Sequence, residues 1–291
     1  MHGFDTQLRL LFATDLSDRS DRAFDRALML ARNNRAHLIV LNVIDEALPA
    51  DIREGLSKQA HDFIQDQMTS AKISGQAEVE IRIVRGRDYQ TIIDQARDGD
   101  VHLIVLGIHR ADTLIDTFVG KTMDRVLSYG DRPVLVVKSK PRRAYAKILV
   151  GTDFSNASRR ALQFAIRLFP TAEFTLLHVH GNPIAKSLRQ NREFEKLWER
   201  RRIALTEMAD GVLEHMRKEI GTGDFTIIPA LHEGMPLMAI ERHIETYHPD
   251  LVVVGTHGRS RFKEAFIGSF AKAVLSIARC DVLAVRPANE D

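Results

Sequence analysis

The sequence predicts an α/β protein made of two tandem, doubly wound domains, each built on a five-stranded parallel sheet. Three observations carry that expectation. The chain has 291 residues, enough for two domains of ordinary size. It contains an internal repeat. Within each repeat, short runs of Val, Ile and Leu alternate with helix-period segments. The repeat is read directly: Leu10-Leu11-Phe12-Ala13-Thr14-Asp15-Leu16-Ser17 returns as Leu149-Val150-Gly151-Thr152-Asp153-Phe154-Ser155. Asp100-Val101-His102-Leu103-Ile104-Val105-Leu106-Gly107 returns as Asp250-Leu251-Val252-Val253-Val254-Gly255, and Arg132-Pro133-Val134-Leu135-Val136-Val137 as Cys280-Asp281-Val282-Leu283-Ala284-Val285. The offset is 138 for the Asp15/Asp153 pair and 148 for the Gly107/Gly255 pair. A period that long means duplicated domains, expected at 1–140 and 144–291. The basic, proline-bearing stretch Lys138-Ser139-Lys140-Pro141-Arg142-Arg143 serves as a solvated connector or an anion-binding strip.

In the first copy strands are expected at 9–13, 37–43, 78–84, 103–106 and 134–137, and helices at about 18–33, 52–73, 89–97 and 121–129. Ala23, Phe24, Ala27, Leu28 and Ala31 recur at helical spacing, with Ser17 expected as the N-cap. The counterpart stripe is Ala161, Leu162, Ala165 and Leu168, capped by Ser155 or Asn156. Strands that are apolar throughout imply a parallel sheet covered on both faces. Right-handed crossovers make it doubly wound. The extra length of the second copy lies in 182–219, where Phe194, Leu197, Trp198, Ile203 and Leu205 sit among Arg192, Arg200, Arg201 and Arg202. This reads as a long amphipathic helix with a charged outer face, or as a partner-docking helix anchored by Trp198.

Composition narrows the function. With 41 basic and 39 acidic residues the net charge is +2, which gives no sign of a nucleic-acid or membrane partner. A lone cysteine, Cys280, excludes an internal disulfide and a CxxC zinc site; it reads as an inert thiol and fits a reducing, cytoplasmic setting. No apolar run approaches the ~20 residues of a membrane helix, and Met1-His2-Gly3-Phe4-Asp5 does not open a signal peptide.

Ligands of open α/β sheets bind beyond the carboxyl ends of the strands, at the topological switch point. In the second copy those places hold Thr152-Asp153 and Gly255-Thr256-His257-Gly258, the latter followed after nine residues by Gly268-Ser269 at a helix start. Gly255 and Gly258 allow close backbone approach or a positive φ. The Ser269 hydroxyl and the first helical N–H groups would hold phosphate oxygens. The first copy keeps Asp15 and Gly107, but Arg110 replaces the second glycine and Lys121 follows Gly120. Gly120-Lys121-Thr122 is no P-loop, because Ile115 stands where that motif needs glycine. Arg110 and Lys121 either bind a smaller anion or mark a purely structural domain.

On these residues the chain resembles a tandem universal stress protein. The carriers are Gly255, Gly258, Gly268 and Ser269 at the family's loop spacing, the segment Lys147 to Ser155, Gly234-Met235-Pro236, and the closing Asp281-Val282-Leu283-Ala284-Val285. The resemblance implies a Rossmann-like, adenine nucleotide alpha hydrolase-like fold, and ATP or a related adenine nucleotide, with or without Mg2+, in the C-terminal domain. Asp153 would contact the adenosine moiety and Val179 would line the adenine pocket. Gly255, Gly258, Gly268 and Ser269 would take the ribose and phosphates, so Gly268→Val should block ATP while sparing the fold. It further implies a role in stress response and regulation, an unidentified protein partner, and an intrachain pseudo-dimer pairing 134–137 with 282–285, open to further homodimerisation. No protein-held metal and no catalytic residue are expected, and at most a slow, incidental ATP hydrolysis. The alternative is a nucleotide-free scaffold of the same family. Adenylating ligases and ATP pyrophosphatases of related fold carry a different signature after strand one, where this chain has Thr-Asp twice. His178 and His180 share a strand face: a metal pair, a base-contacting His180 and satisfied structural histidines are the readings open. His257 either donates to a phosphate or packs the loop.

Overall fold

The computed structural model describes residues 6–17, 20–71, 77–108, 121–180, 192–220, 224–256 and 267–286. The chain divides into two compact units, one of His2–Ala144 and one of Tyr145–Lys263 with Ile267–Asp291. Each is an α/β unit with a parallel sheet.

In the N-terminal unit the elements run β1 (Arg9–Thr14), α1 (Asp21–Asn34), β2 (His37–Asp45), α2 (Ala50–Ser70), β3 (Glu78–Gly86), α3 (Asp88–Asp98), β4 (Leu103–Gly107), α4 (Lys121–Tyr129) and β5 (Val134–Val137). Its strands lie in the order β3-β2-β1-β4-β5, and every pairing is parallel, with Leu10 in register with Leu38 on one side and Leu103 on the other. The C-terminal unit repeats the plan with β6 (Lys147–Thr152), α5 (Asn156–Leu168), β7 (Glu173–His180), α6 (Arg192–Ile220), β8 (Thr226–Glu233), α7 (Pro236–Tyr247), β9 (Leu251–Gly255), α8 (Ser269–Ile277) and β10 (Asp281–Val285). Its order is β8-β7-β6-β9-β10, again all parallel. Strand succession therefore reverses between β1 and β4 in one unit and between β6 and β9 in the other.

The apolar runs form strands because both sheet faces are covered. Leu10, Leu11, Leu38, Leu103, Leu149, Val150, Val252 and Val253 are all fully buried. The α1 stripe is buried as the spacing predicts, at Ala23, Phe24, Ala27, Leu28 and Ala31, and so is the α5 stripe at Ala161, Leu162, Ala165 and Leu168. The start of α1 differs from the sequence expectation. Helix α1 begins at Asp21 with Ser20, not Ser17, in the N-cap position, and no side chain caps it. The Ser20 hydroxyl instead donates to the Ser17 carbonyl at 2.7 Å and meets the Thr14 hydroxyl at 2.9 Å. Ser155 does cap α5, its hydroxyl accepting from the Ser158 N–H at 3.2 Å.

The long insertion helix is α6. Leu205, Met208, Ala209, Val212 and Met216 are buried, while Leu197 and Ile203 are exposed. Its outer face carries the Glu199–Arg202 and Glu214–Lys218 ion pairs, which give an exposed helix modest support. Beside β10, the Tyr145 hydroxyl donates to the fully buried Asp281 carboxylate at 2.5 Å. No helix among the described residues is long and apolar enough to cross a membrane.

Candidate functional site

The site begins with a turn that follows the first strand in both units. In the C-terminal unit the Thr152 hydroxyl accepts the Phe154 N–H at 3.1 Å and meets the Ser158 hydroxyl at 3.0 Å. In the N-terminal unit the Thr14 hydroxyl accepts the Leu16 N–H at 2.9 Å. Phe154 and Leu16 consequently sit at φ 65° and 60°, a left-handed conformation that costs a branched or bulky side chain energy. The bend aims the preceding aspartate across the strand ends. Oδ1 of Asp153 accepts the Ser155 N–H at 3.0 Å as well as its hydroxyl; Oδ1 of Asp15 accepts the Ser17 N–H at 3.1 Å and its hydroxyl at 2.7 Å. Burial pushes the Asp153 carboxyl up, but hydrogen bonds from Ser155, Ser158 and its own backbone N–H together hold the group below its ordinary value.

A second feature shared by the units is a side chain that ties the first strand to the second. The Asn42 amide donates to the Thr14 carbonyl at 2.9 Å. In the other unit the Nδ1 of His178 donates to the Thr152 carbonyl at 2.8 Å, while its Nε2 accepts from Nη1 of Arg201 at 2.9 Å. Those two bonds fix the neutral tautomer with the proton on Nδ1. The Phe154 ring packs on the His178 ring with centroids 4.2 Å apart. Both nitrogens of His178 being engaged, the metal-pair reading of His178 and His180 falls. Among the described residues no group of three or more His, Cys, Asp or Glu side chains could hold a metal ion. His180 is half-buried; burial first, then the charge of Arg201, pushes its imidazole below the ordinary value against the pull of Glu233.

At the switch point of the C-terminal unit lies a cavity of about 250 Å³. Four of the residues singled out in the sequence border it: Asp153, Val179, Gly255 and Gly268. Ile240 and Pro236 from α7 and Phe270 from α8 complete an apolar wall. Gly234, at φ 126°, turns the chain from β8 into α7 and so sets that wall. Ser269 is exposed as the first residue of α8, whose N-terminus has no side-chain cap. Among the described residues no side chain caps its first N–H groups, an arrangement suited to an anion. Gly258 and His257 lie outside the described residues.

The two glycines of the cavity differ, and the expectation for Gly268→Val needs correcting. A Cβ on Gly255 would make only ordinary contact with Ala157, so crowding does not demand glycine there. A Cβ on Gly268 would come within 2.9 Å of the Thr256 carbonyl oxygen, which already accepts the Gly268 N–H at 2.8 Å. Gly268→Val therefore strains the start of α8 itself and would not spare the local fold, contrary to the sequence expectation.

The N-terminal unit has a cavity of about 310 Å³ in the corresponding place, bordered by Asp15, Gly107, Lys121 and Thr122. Its rim differs chemically. Asp88 occupies the place of Pro236 and accepts the Thr122 hydroxyl; Lys121 occupies that of Ser269. Arg110 and Gly120 lie outside the described residues. Cys280 is half-buried.

Sequence reading did not single out Ser158 or Ile240, and it named Thr152 and Arg201 without the contacts they make. The Thr/Ser pair was visible as a signal, since Thr14/Ser20 and Thr152/Ser158 recur at one spacing in both copies.

With this geometry in hand, likeness to known proteins is specific. The sequence profile of the Universal stress protein family matches twice, over residues 8–138 and 144–286. Universal stress protein MJ0577 of Methanocaldococcus jannaschii is 28% identical over 157 residues, covering 50% of this chain and 97% of its own. Universal stress protein E of Escherichia coli K12 is 25% identical over 248 residues, 81% of this chain and 77% of its own. The crystal structure of a universal stress protein from Archaeoglobus fulgidus superposes with a TM-score of 0.68 at 20% identity, covering 96% of this chain and 98% of that one. The two profile matches together span nearly the whole sequence, and this chain belongs to the universal stress protein family, with the family's domain present twice.

Proposed function

We propose that the C-terminal unit binds ATP or a related adenine nucleotide at its switch-point cavity, and that the protein acts in stress response by ligand binding and not by catalysis. The observation that carries this reading is the convergence of Asp153, Val179, Gly255 and Gly268 on one cavity next to the uncapped start of α8. An apolar slot suits a purine ring, a carboxylate suits ribose hydroxyls, and a helix N-terminus with Ser269 suits phosphate. Gly258 and any Mg2+ carried by the phosphates belong to the same proposal, as do a cytoplasmic setting and an unidentified protein partner. The N-terminal unit, with Asp88 and Lys121 on its rim, is proposed not to hold ATP.

The test is to purify the protein, denature it, and identify released nucleotide by mass spectrometry, followed by calorimetric titration of the stripped protein with ATP. One ATP site per chain is expected. Absence of released nucleotide together with no titratable heat would favour the scaffold alternative. Phosphate release from ATP at enzyme-like rates would overturn the non-catalytic part.

A further inference from the structure

The guanidinium of Arg201 is placed where a cation needs a counter-charge. Arg201 is half-buried on α6. Its one hydrogen-bond partner among the described residues is Nε2 of His178, a neutral acceptor, at 2.9 Å. Its Nε is buried with no acceptor, and no carboxylate lies within ion-pair distance of it among the described residues. Its neighbour Arg202, by contrast, is paired to Glu199 at 2.6 Å. His178 cannot relieve the charge, because its other nitrogen already donates to the Thr152 carbonyl. Taking a cation partly out of water without an opposite charge is costly, and an arginine fork is the side chain best shaped for a carboxylate or phosphate. A Met or Leu at this place would avoid the cost, and the guanidinium keeps hydrogen-bonding capacity that His178 does not use.

We infer that Arg201 forms an anion site at the carboxyl end of β7, receiving a phosphate group beside His178 and His180. Arg201 reaches His178 from α6 and is not among the residues that border the switch-point cavity. His180 is kept neutral by burial and by Arg201, so it offers a hydrogen bond to a phosphate without adding charge. The phosphate comes either from the tail of a nucleotide in the neighbouring cavity, which His178 also borders, or from a separate ligand. The inference does not rest on the ATP reading, because inorganic phosphate alone tests it.

The experiment is thermal unfolding of the full chain in rising sodium phosphate, with ionic strength held constant by chloride. Wild type should gain melting temperature with phosphate by mass action. Arg201→Met should bind phosphate about tenfold more weakly, as expected for loss of a charged hydrogen bond, and should melt in chloride no lower than wild type. Arg201→Lys should recover part of the phosphate response. Ser269→Ala serves as the control for phosphate at the α8 start and should leave the Arg201-dependent part intact. Two results would overturn the inference: a full phosphate response in Arg201→Met, or a melting temperature in chloride several degrees below wild type, which is the mark of a purely structural arginine. Titration with ATP and adenosine then identifies the source. Weakened ATP with unchanged adenosine in Arg201→Met assigns the phosphate to the nucleotide; unchanged ATP with a lost phosphate response assigns it to a separate ligand.

Discussion

In both units the first strand ends in Thr-Asp, bends through a left-handed residue, and returns a serine hydroxyl to the threonine. The two aspartates accept the same pair of serine donors. The units part company one layer out. The C-terminal rim offers Pro236 and the uncapped α8 start with Ser269, whereas the N-terminal rim offers Asp88, hydrogen-bonded to Thr122, and Lys121. The turn is therefore scaffold, maintained wherever the sheet needs its switch point. Under the proposed function, ligand choice would lie in residues the scaffold does not constrain. Retaining the aspartate alone says little about binding.

The comparison can be broken or sharpened by substitution. The largest effect is expected at the buried Asp281, whose aligned place in the first copy is Pro133. Asp281→Ala removes the acceptor of the Tyr145 hydroxyl and should cost about 3 kcal/mol in urea unfolding; Pro133→Ala should cost well under about 1 kcal/mol. Equal losses would show that the units are held alike. Next comes ligand affinity. Asp153→Ala should weaken ATP and adenosine alike, by about tenfold or more, and Asp15→Ala should change neither. Two equivalent ATP sites by calorimetry would remove the asymmetry altogether. Ser269→Ala should have a smaller effect, confined to ATP, because one neutral hydroxyl is lost while the helix N–H groups stay. Equal losses of ATP and adenosine in that variant would mean that Ser269 does not meet the phosphates.

The smallest effect concerns acid. His243 on α7 is buried, with its Nδ1 unpartnered among the described residues. Burial, and then the neighbouring His232, keep its imidazole below the ordinary value. The unfolded chain therefore takes up the proton first as pH falls below about 6.5. The stability this group confers is complete above that pH and is lost as pH falls toward the folded value. Urea midpoints taken at about pH 7.5 and 5.5 should drop further for wild type than for His243→Gln; parallel drops would assign the acid sensitivity elsewhere.

Fold and strand succession were legible because they rest on local pattern: apolar runs of strand length, helical stripes such as Ala23 to Ala31, and a long repeat. Four of the six site residues reach one cavity because strand ends converge at a switch point whatever their side chains are. What the sequence could not show is contact across distance. The sequence leaves three readings of His178 open because its partners, Thr152 and Arg201, are 26 and 23 residues away. Ser17 looked like a cap because capping statistics ignore competition; here Ser20 and Thr14 draw the turn tighter before α1 begins. Gly268 was read as room for phosphate, although the carbonyl of Thr256 already occupies the space beside it.

The Tyr145–Asp281 pair bears on how a duplicated chain avoids assembling wrongly. Two copies of one topology on a single polypeptide invite strand exchange during folding, each last strand fitting the other sheet about as well as its own. The last strand of the second copy opens with a carboxylate that needs a phenol to receive it in the interior. In the first copy, the offset of 138 puts Gln7 where that phenol stands, and the last strand is preceded by Pro133. A β10 that strayed into the N-terminal sheet would carry Asp281 inside without its donor, a burden that correct docking does not impose. One buried polar pair thus labels a strand with its own address, and refolding of Asp281→Val should produce more mispaired and aggregated chains than wild type even where the variant's native state is stable.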